Sequence, residues 1–246
     1  MFAKLVITFR KTEDMHYNMT SLMQGVLMEF IDKEYADKLH ESGLNPYSQH
    51  VEFTKEYMYW VIAAMTEEAV EKIIKPLLSD DIREFYIEHK DLKIEIINRK
   101  VTSIAYDKML ENTYFGKCSP YINISFLTPT SFKVNGRYQN YPTVSHIFHS
   151  LIMKHDTIAE GTEIYSDDIA EQIESNIHII KYNLRSTLFH MESVKIPSFV
   201  GNITMKVNGP QQFVNLINFL VETGVYSGVG IKTAIGMGAI KIERRN

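Results

Sequence analysis

A segment near the end of the chain, residues 228–238, has the residue types of an anion-binding loop. It holds four glycines and a lysine, Lys232, within eleven positions. Glycine adopts positive φ readily and has no Cβ, so such a loop can bring main-chain N–H groups close to a phosphate while the lysine supplies charge. The alternative is a flexible hairpin leading into the last strand. The four glycines of this glycine loop are Gly228, Gly230, Gly236 and Gly238.

The glycine loop matches neither of the common nucleotide-binding motifs. Thr233 stands where a dinucleotide fingerprint needs its third glycine, and Ile231 stands where a P-loop needs the glycine before its lysine. A small-molecule enzyme that binds nucleotides is therefore disfavoured.

His40 is the second candidate for chemistry. It ends a predicted helical stretch, and the following Gly43 is a helix-stop signal. An imidazole at the end of a rigid helix is partly exposed and suited to general acid–base catalysis. His146 and His149 are predicted to be solvated, although their spacing permits a shared metal with low specificity.

The charge is distributed unevenly along the chain. The formal net charge is −4, but residues 181–246 hold eight Lys or Arg against three acids and so carry +5. This basic segment contains Arg185 and the glycine loop, and such an asymmetry hints at nucleic-acid binding. His190, within the segment, and His178, just before it, are predicted to fall in strands and are candidate phosphate or surface contacts. The alternative is a random fluctuation of surface charge.

Composition bounds the class of protein. A chain of 246 residues, 45% hydrophobic, is long enough for one large domain or two small ones. Cys118 is the only cysteine, which excludes an intramolecular disulfide and a cysteine-based zinc cluster. We find neither a secretory leader nor a long uncharged apolar run, so we expect a cytoplasmic protein with no membrane partner.

The hydrophobic periodicity predicts the same order of elements twice. In the first half, strands are expected at 3–10, 47–53, 57–64 and 92–96, with helical stripes at 22–31 and, capped by Thr66, at 70–77. In the second half, strands are expected at 121–127, 177–189, 199–207 and the end of the chain, with helices at 143–155 and 210–223. Gly224 is the predicted stop signal of the last helix.

This order is βαββαβ repeated. We therefore predict an α+β protein of two tandem ferredoxin-like, RRM-like domains, residues 1–105 and 115–246. The fold alone names no function, although RNA-recognition sheets use the same frame.

Four stretches resemble the CRISPR-associated endoribonucleases that cut precursor CRISPR RNA within its repeats, the sixth CRISPR-associated protein family of the repeat-associated superfamily. The resemblance spans nearly the whole chain, and the glycine loop is its most specific mark. The stretches are Asn18 to Ile31 with Leu22, Gln24 and Gly25; Leu39-His40-Glu41-Ser42-Gly43; Ser125 to Pro129; and residues 228–238.

The resemblance implies a metal-independent endoribonuclease. It assigns general acid–base catalysis to His40, and it implies a 2′-hydroxyl attack that leaves a 2′,3′-cyclic phosphate and a 5′-hydroxyl, with no metal and no cofactor. RNA contact is expected from the glycine loop and the basic segment. The residues so assigned are Gly228, Gly230, Lys232, Thr233, Gly236, Gly238 and Arg185.

The implied partner is the repeat of precursor CRISPR RNA, with a CRISPR effector complex and a homodimer as further partners to consider. Met28 stands where some relatives have a tyrosine, and the lysine that some carry shortly after the histidine is missing. Lys38, Tyr47 and Lys232 are the candidate substitutes. The competing hypothesis is a non-catalytic RNA-binding subunit of an effector complex, against which His40 argues.

Overall fold

A computed structural model describes residues 1–13, 15, 19–41, 43–159, 161–191 and 194–243 of the chain. Asn18 and Ser42 of the resembling stretches lie outside the described residues, as do Glu192, Arg244 and Arg245 of the basic segment.

The first half of the chain forms one antiparallel sheet with helices on one face. Its spatial strand order is β2-β3-β1-β5-β4, so the first strand lies between the third and the fifth. The elements are β1 (Phe2–Arg10), α1 (Thr20–Phe30), α2 (Lys33–Glu41), β2 (Tyr47–Phe53), β3 (Tyr57–Ala64), α3 (Glu67–Ala69), β4 (Glu84–Ile87) and β5 (Leu92–Ile104). After α3 the helical segment continues as a π-turn over Val70–Ile74 and a 3₁₀ turn over Pro76–Leu78.

The second half repeats the arrangement. Its sheet has the order β11-β6-β10-β9, again with the first strand next to the third and the last. The elements are α4 (Tyr106–Asn112), β6 (Tyr121–Thr130), β7 (Phe132–Val134), β8 (Arg137–Gln139), α5 (Val144–Asp156), α6 (Asp167–Asn176), β9 (Ile177–Met191), β10 (Val194–Val207), α7 (Gln211–Ser227) and β11 (Ile240–Ile242).

Each unit has its own apolar core. In the N-terminal unit, alternate residues of β1 such as Leu5 and Ile7 pack under α1, and Trp60 is fully buried. In the C-terminal unit, Ile124 and Ile203 pack against α5 and α7 through Leu151 and Ile217. The predicted α+β class with two tandem ferredoxin-like units is confirmed.

The first helical stretch is two helices and not one. Ile31 is extended, with φ −101° and ψ 152°, and ends α1. The carboxylate of Asp32 then accepts a hydrogen bond from the Tyr35 N–H at 3.1 Å, which satisfies a free donor at the start of α2. The break at Ile31 separates α1 from α2, and His40 lies in the last turn of α2.

The prediction that Gly224 ends the last helix is wrong. Helix α7 continues to Ser227, and Gly228, with φ 67°, follows its end. A Cβ on Gly224 would lie 2.6 Å from Leu151 Cδ2 and 3.0 Å from Ile240 Cδ1. Gly224 therefore permits close packing of α7 on α5 and β11, and the stop signal belongs to Gly228.

A chain of polar contacts joins the segment that follows the N-terminal sheet to the rest of the C-terminal unit. The Tyr106 hydroxyl lies 2.8 Å from His155 Nε2, and His155 Nδ1 lies 2.9 Å from the Asp156 carboxylate. Asp156 in turn accepts from the N–H groups of Ile164 and Tyr165. These contacts fasten α4, which follows the N-terminal sheet, to α5 of the C-terminal unit.

No helix within the described part of the chain is long and apolar enough to cross a membrane.

Candidate active site

A cleft of about 520 Å³ lies between the two units. Its N-terminal rim comes from α1, the end of α2 and the turn that follows, and its C-terminal rim comes from the glycine loop, β7, β8 and α5. His40 lies on the first rim, and Lys232 and Thr233 lie on the second. The fold thus brings together the two features that the sequence singled out, 192 positions apart.

His40 is exposed and projects from the last turn of α2. Its Nδ1 lies 2.8 Å from the carbonyl oxygen of Ala36. Because a carbonyl can only accept, Nδ1 carries the proton, and in the neutral ring Nε2 keeps a lone pair. The ring is therefore oriented by its own helix, with Nε2 left to exchange a proton.

The glycine loop is held mainly by its own hydrogen bonds. The N–H of Val229 donates to Gly238 O at 2.8 Å, and the N–H groups of Ile235 and Met237 both donate to Lys232 O. Gly230 N–H donates to the Ser150 hydroxyl at 2.8 Å. The expectation that the glycines leave the loop N–H groups to a phosphate needs correction for these positions. Within the described chain, the N–H groups of Lys232, Thr233 and Ala234 are the loop donors left without an acceptor.

The loop glycines have structural reasons of their own. Gly230 has φ 81°, and a Cβ there would lie 2.3 Å from Ser131 O. Gly236 has φ 108°, and a Cβ there would lie 1.7 Å from Thr20 Cγ2, so the loop backbone lies directly against the start of α1 at this position. Gly228 and Gly238 are buried within the fold of the loop.

Lys232 adopts the left-handed conformation, with φ 57°. This conformation costs a residue with a Cβ free energy that glycine avoids, and such residues cluster at functional sites. Its carbonyl fixes the conformation by accepting the two loop N–H groups, and its side chain is exposed in the cleft. Lys232 therefore has a positive φ, a backbone conformation that glycines adopt at the other such positions of this loop.

The cleft has a one-sided electrostatic character. Three lysines and one histidine line it, and none of its described lining residues carries a carboxylate. Lys133 and Lys232 are exposed, whereas Lys154 is 5% exposed. Burial lowers the pKa of the Lys154 ammonium to about 7, since desolvation disfavours the charged form. Burial also raises the pKa of the Tyr47 phenol, which forms a hydrogen bond with Gln24.

Arg185 lies in a second groove, next to the first. This groove is lined by residues of β6, β9 and β10 and by Thr20 and Gly236, so the loop forms a wall of both. His190 also lines it.

The strand register places other cations of the basic segment on one sheet face. Arg185 pairs with Val200, Lys181 with Thr204, and His178 with Lys206. Directly paired residues share a face, and buried Ile203 and Met205 occupy the opposite one. Lys181, Arg185 and Lys206 therefore lie on the face turned away from α5 and α7.

Comparison with known proteins identifies the family. A family model described as CRISPR-associated endoribonuclease Cas6 matches residues 124–240. The CRISPR-associated endoribonuclease Cas6 of Streptococcus thermophilus is 33% identical over 243 residues, 98% of each chain. The Mycobacterium tuberculosis protein of the same name is 30% identical, with 90% of this chain and 70% of that one aligned.

The chain belongs to the Cas6 family. It is an endoribonuclease of CRISPR RNA processing, which confirms the sequence resemblance and the enzyme interpretation. A solved Cas6 product complex has the same fold, with a TM-score of 0.83 at 17% identity, covering 99% of this chain and all of that one.

Two of the three candidate substitutes for missing Cas6 residues reach the cleft. Tyr47 and Lys232 line it, as does Met28. Lys38 points elsewhere, because its Nζ donates to both carboxylate oxygens of Glu68 at 2.8 and 2.9 Å.

Lys154 and Lys133 are cleft residues that the sequence analysis missed. A signal for Lys154 was present, since the apolar stripe of α5 runs through Ile147 and Leu151 and continues at positions 154 and 155. A lysine on a buried stripe is unusual and indicates a specific partner. For Lys133, on the short β7–β8 hairpin, we find no such signal.

His146 and His149 were both predicted to be solvated, but the structure agrees with this only for His149. His149 is exposed, as expected. His146 is half-buried against the Phe132 ring, with 5.3 Å between ring centroids, and its Nδ1 has no partner among the described residues. The described residues contain no cluster of three or more metal-ligating side chains.

Proposed function

We propose that this Cas6 protein cleaves the repeats of precursor CRISPR RNA by attack of a 2′-hydroxyl on the adjacent phosphorus. The attack forms the bond from O2′ to phosphorus and breaks the bond from phosphorus to O5′. The products are a 2′,3′-cyclic phosphate and a 5′-hydroxyl. One observation carries the proposal: an oriented histidine faces a cation-lined loop across a cleft with no carboxylate among its described lining residues.

His40 is the proton carrier of this reaction. The nucleophile belongs to the substrate, so the enzyme needs to align it, take a proton from O2′ and give one to O5′. With Nδ1–H donating to Ala36, Nε2 is the atom that takes or gives one of these protons. A second group must carry the other proton, since the tyrosine and lysine of some relatives are missing here. Tyr47 and Lys232 are the candidates, because both line the cleft.

The C-terminal rim stabilises the charge that develops on the phosphoryl oxygens. Lys232 and Lys133 bring positive charge to the cleft, and the unbound N–H groups of residues 232–234 are donors that belong to its lining. Donors already fixed in place stabilise a transition state without reorganisation, and in this loop its own hydrogen bonds supply that rigidity.

The RNA strand on either side of the cleavage point runs past the loop to the Arg185 groove. The two grooves share the loop as a wall, and the face with Lys181, Arg185 and Lys206 continues the positive surface. Phosphate contacts of this kind supply affinity without base specificity. The repeat RNA is the proposed partner, and a CRISPR effector complex and a homodimer remain proposals beside it.

The test uses purified protein and the repeat RNA from its own genomic neighbourhood, with EDTA present. We expect cleavage at one position and a cyclic phosphate terminus on the 5′ product, read by mass spectrometry. A matched RNA with 2′-deoxy substitution 5′ of the scissile phosphate should bind and stay intact, because it lacks the nucleophile.

Two results would refute the mechanism. One is cleavage that requires added Mg²⁺, and the other is cutting of the deoxy RNA at the same position. Binding of the unmodified repeat without cleavage, both with EDTA and with added Mg²⁺, would instead favour the RNA-binding role over the catalytic one.

A further inference from the structure

Lys154 lines the cleft, but its buried amine also forms hydrogen bonds with the end of α7 and with the glycine loop. Its Nζ lies 3.3 Å from Ser227 O, 3.1 Å from Gly228 O and 3.2 Å from Thr233 Oγ1. The first two atoms belong to the end of α7 and the start of the glycine loop, and the third lies beyond the first bend of the loop. One buried amine therefore ties two separate points of the loop to α5.

The geometry points to Lys154 as a positioning residue, which holds Thr233 and the adjoining Lys232 at the cleft by fixing residues 227–233 against α5. This inference rests on the proposed RNA cleavage. Thr233 is buried and directly follows Lys232, so a shift of its hydroxyl moves the backbone that carries the exposed lysine. Lys154 acts through the loop and is not assigned contact with the RNA.

The contact set explains why a lysine and not an apolar residue occupies this buried position. A charged amine offers three donors for the three oxygen atoms, and a neutral amine offers two donors and a lone pair that can accept from the Thr233 hydroxyl. All three contacts are thus satisfied in either state. A methionine would match the length of the side chain but leave Ser227 O without this donor, and the buried stripe of α5 would accept it readily.

The first experiment is single-turnover cleavage by Lys154→Met, with the same substitution at Lys133, Lys133→Met, as the control. Lys133 lines the same cleft, but it is exposed, and its ammonium lies 6.0 Å from the Tyr138 ring centroid. We expect Lys154→Met to lower the cleavage rate constant by ~10- to 100-fold, since small misplacements have effects of that size. Its affinity for the 2′-deoxy repeat should stay within about threefold of wild type. Lys133→Met should show the opposite pattern, a weaker affinity with a smaller loss of rate.

A mutant cycle with Thr233 tests whether the two residues act as one unit. Thr233→Val removes the hydroxyl and keeps the shape, whereas Thr233→Ser keeps the hydroxyl. We expect Thr233→Val to slow cleavage and to add little to Lys154→Met, because the contact is already lost. Thr233→Ser should retain most of the activity. Full additivity of the two losses would overturn the inference.

Hydrogen exchange of the free protein separates this inference from the proposed function. In Lys154→Met, amides of residues 229–238 should exchange faster, while those of β1 and β3 should keep their wild-type rates. Faster loop exchange supports the positioning role even if the wild-type protein cuts no RNA, a result that would sink only the proposed function. Unchanged loop exchange in a folded variant contradicts the positioning role, whatever the wild-type cleavage.

Discussion

The two rims of the cleft are built in opposite ways. His40 on the N-terminal rim is exposed and makes one hydrogen bond that we can identify among the described residues, to the carbonyl four residues earlier. Nearby Gly43 has open space where a Cβ would stand. On the C-terminal rim the glycine loop is cross-bonded, and Gly230 and Gly236 contact neighbouring atoms too closely for any Cβ.

The two rims differ because their proposed tasks differ. A loop that stabilises developing charge needs donors fixed in advance, so its side chains and glycines maintain the shape of the loop. A proton carrier needs an accessible nitrogen and a fixed tautomer, which one helix carbonyl supplies. Substitutions should therefore act on chemistry at the first rim and on shape at the second.

The largest effect is expected at the first rim. His40→Ala should reduce single-turnover cleavage by ~100- to 10,000-fold, the usual contribution of general acid–base catalysis. Repeat RNA should still bind with near wild-type affinity, since the cationic rim is intact. His149→Ala, an exposed histidine on α5, is the control and should be close to neutral. A rate within about threefold of wild type in His40→Ala would remove this residue from the mechanism.

A pair of glycine substitutions compares the rims directly. Gly236→Ala should lower the free energy of unfolding by at least the ~1–3 kcal/mol of a strained backbone, because φ is 108° and the new Cβ would meet Thr20. The bulkier Gly236→Leu should lose more, and cleavage should fall with it. Gly43→Ala should leave stability nearly unchanged. The measurements are thermal unfolding and cleavage rates. Equal losses of stability at Gly236 and Gly43 would contradict the inferred difference between the two rims.

The sequence-based prediction succeeded where periodicity and local signals agree. The tandem βαββαβ order followed from alternation and from helical stripes, and the Thr66 cap is confirmed, because its hydroxyl accepts from the Ala69 N–H at 3.1 Å. Short elements with weak periodicity, such as β4 and the β7–β8 hairpin, left no comparable signal. The break at Ile31 was missed because apolar residues continue on both sides of it, and the deciding feature is the Asp32 cap.

The candidate site was predictable as two separate features but not as one place. His40 and the glycine loop were found by residue type and spacing, yet their meeting depends on how the two units pack. The role of each glycine also required coordinates. A glycine at positive φ that contacts Thr20 and a glycine that receives a phosphate look alike in a sequence.

The buried amine of the second rim gives a pH signature. Burial lowers the pKa of Lys154 from 10.5 to about 7. Between these values the unfolded chain binds a proton that the folded chain lacks at this position, so the free energy of unfolding rises with pH there. Below pH 7 both states hold the proton, and the cost of burying the charge is fully present.

Urea unfolding of wild type and Lys154→Met at several pH values between 7 and 10.5 tests this signature. The free energy of unfolding of the wild type, relative to that of the variant, should rise by up to ~1.4 kcal/mol per pH unit, the value for one full proton. Titration of all other groups cancels in the difference. A difference that stays constant with pH would show that the Lys154 ammonium keeps its ordinary pKa in the folded protein.

The smallest effects should come from neutralising single cations of the proposed RNA surface. Lys232→Gln and Arg185→Gln should each weaken repeat binding and flatten its salt dependence by up to ~0.7 in log–log slope, the value for one lost contact to a single strand. Lys232→Gln should also slow cleavage, since Lys232 lies in the His40 cleft and Arg185 in the neighbouring groove. Lys72→Gln, an exposed change on the N-terminal unit, is the control and should alter neither quantity. If Arg185→Gln slowed cleavage as much as Lys232→Gln, the two grooves would have to be treated as one catalytic surface. If neither changed the salt slope, the RNA would have to follow a path away from this loop.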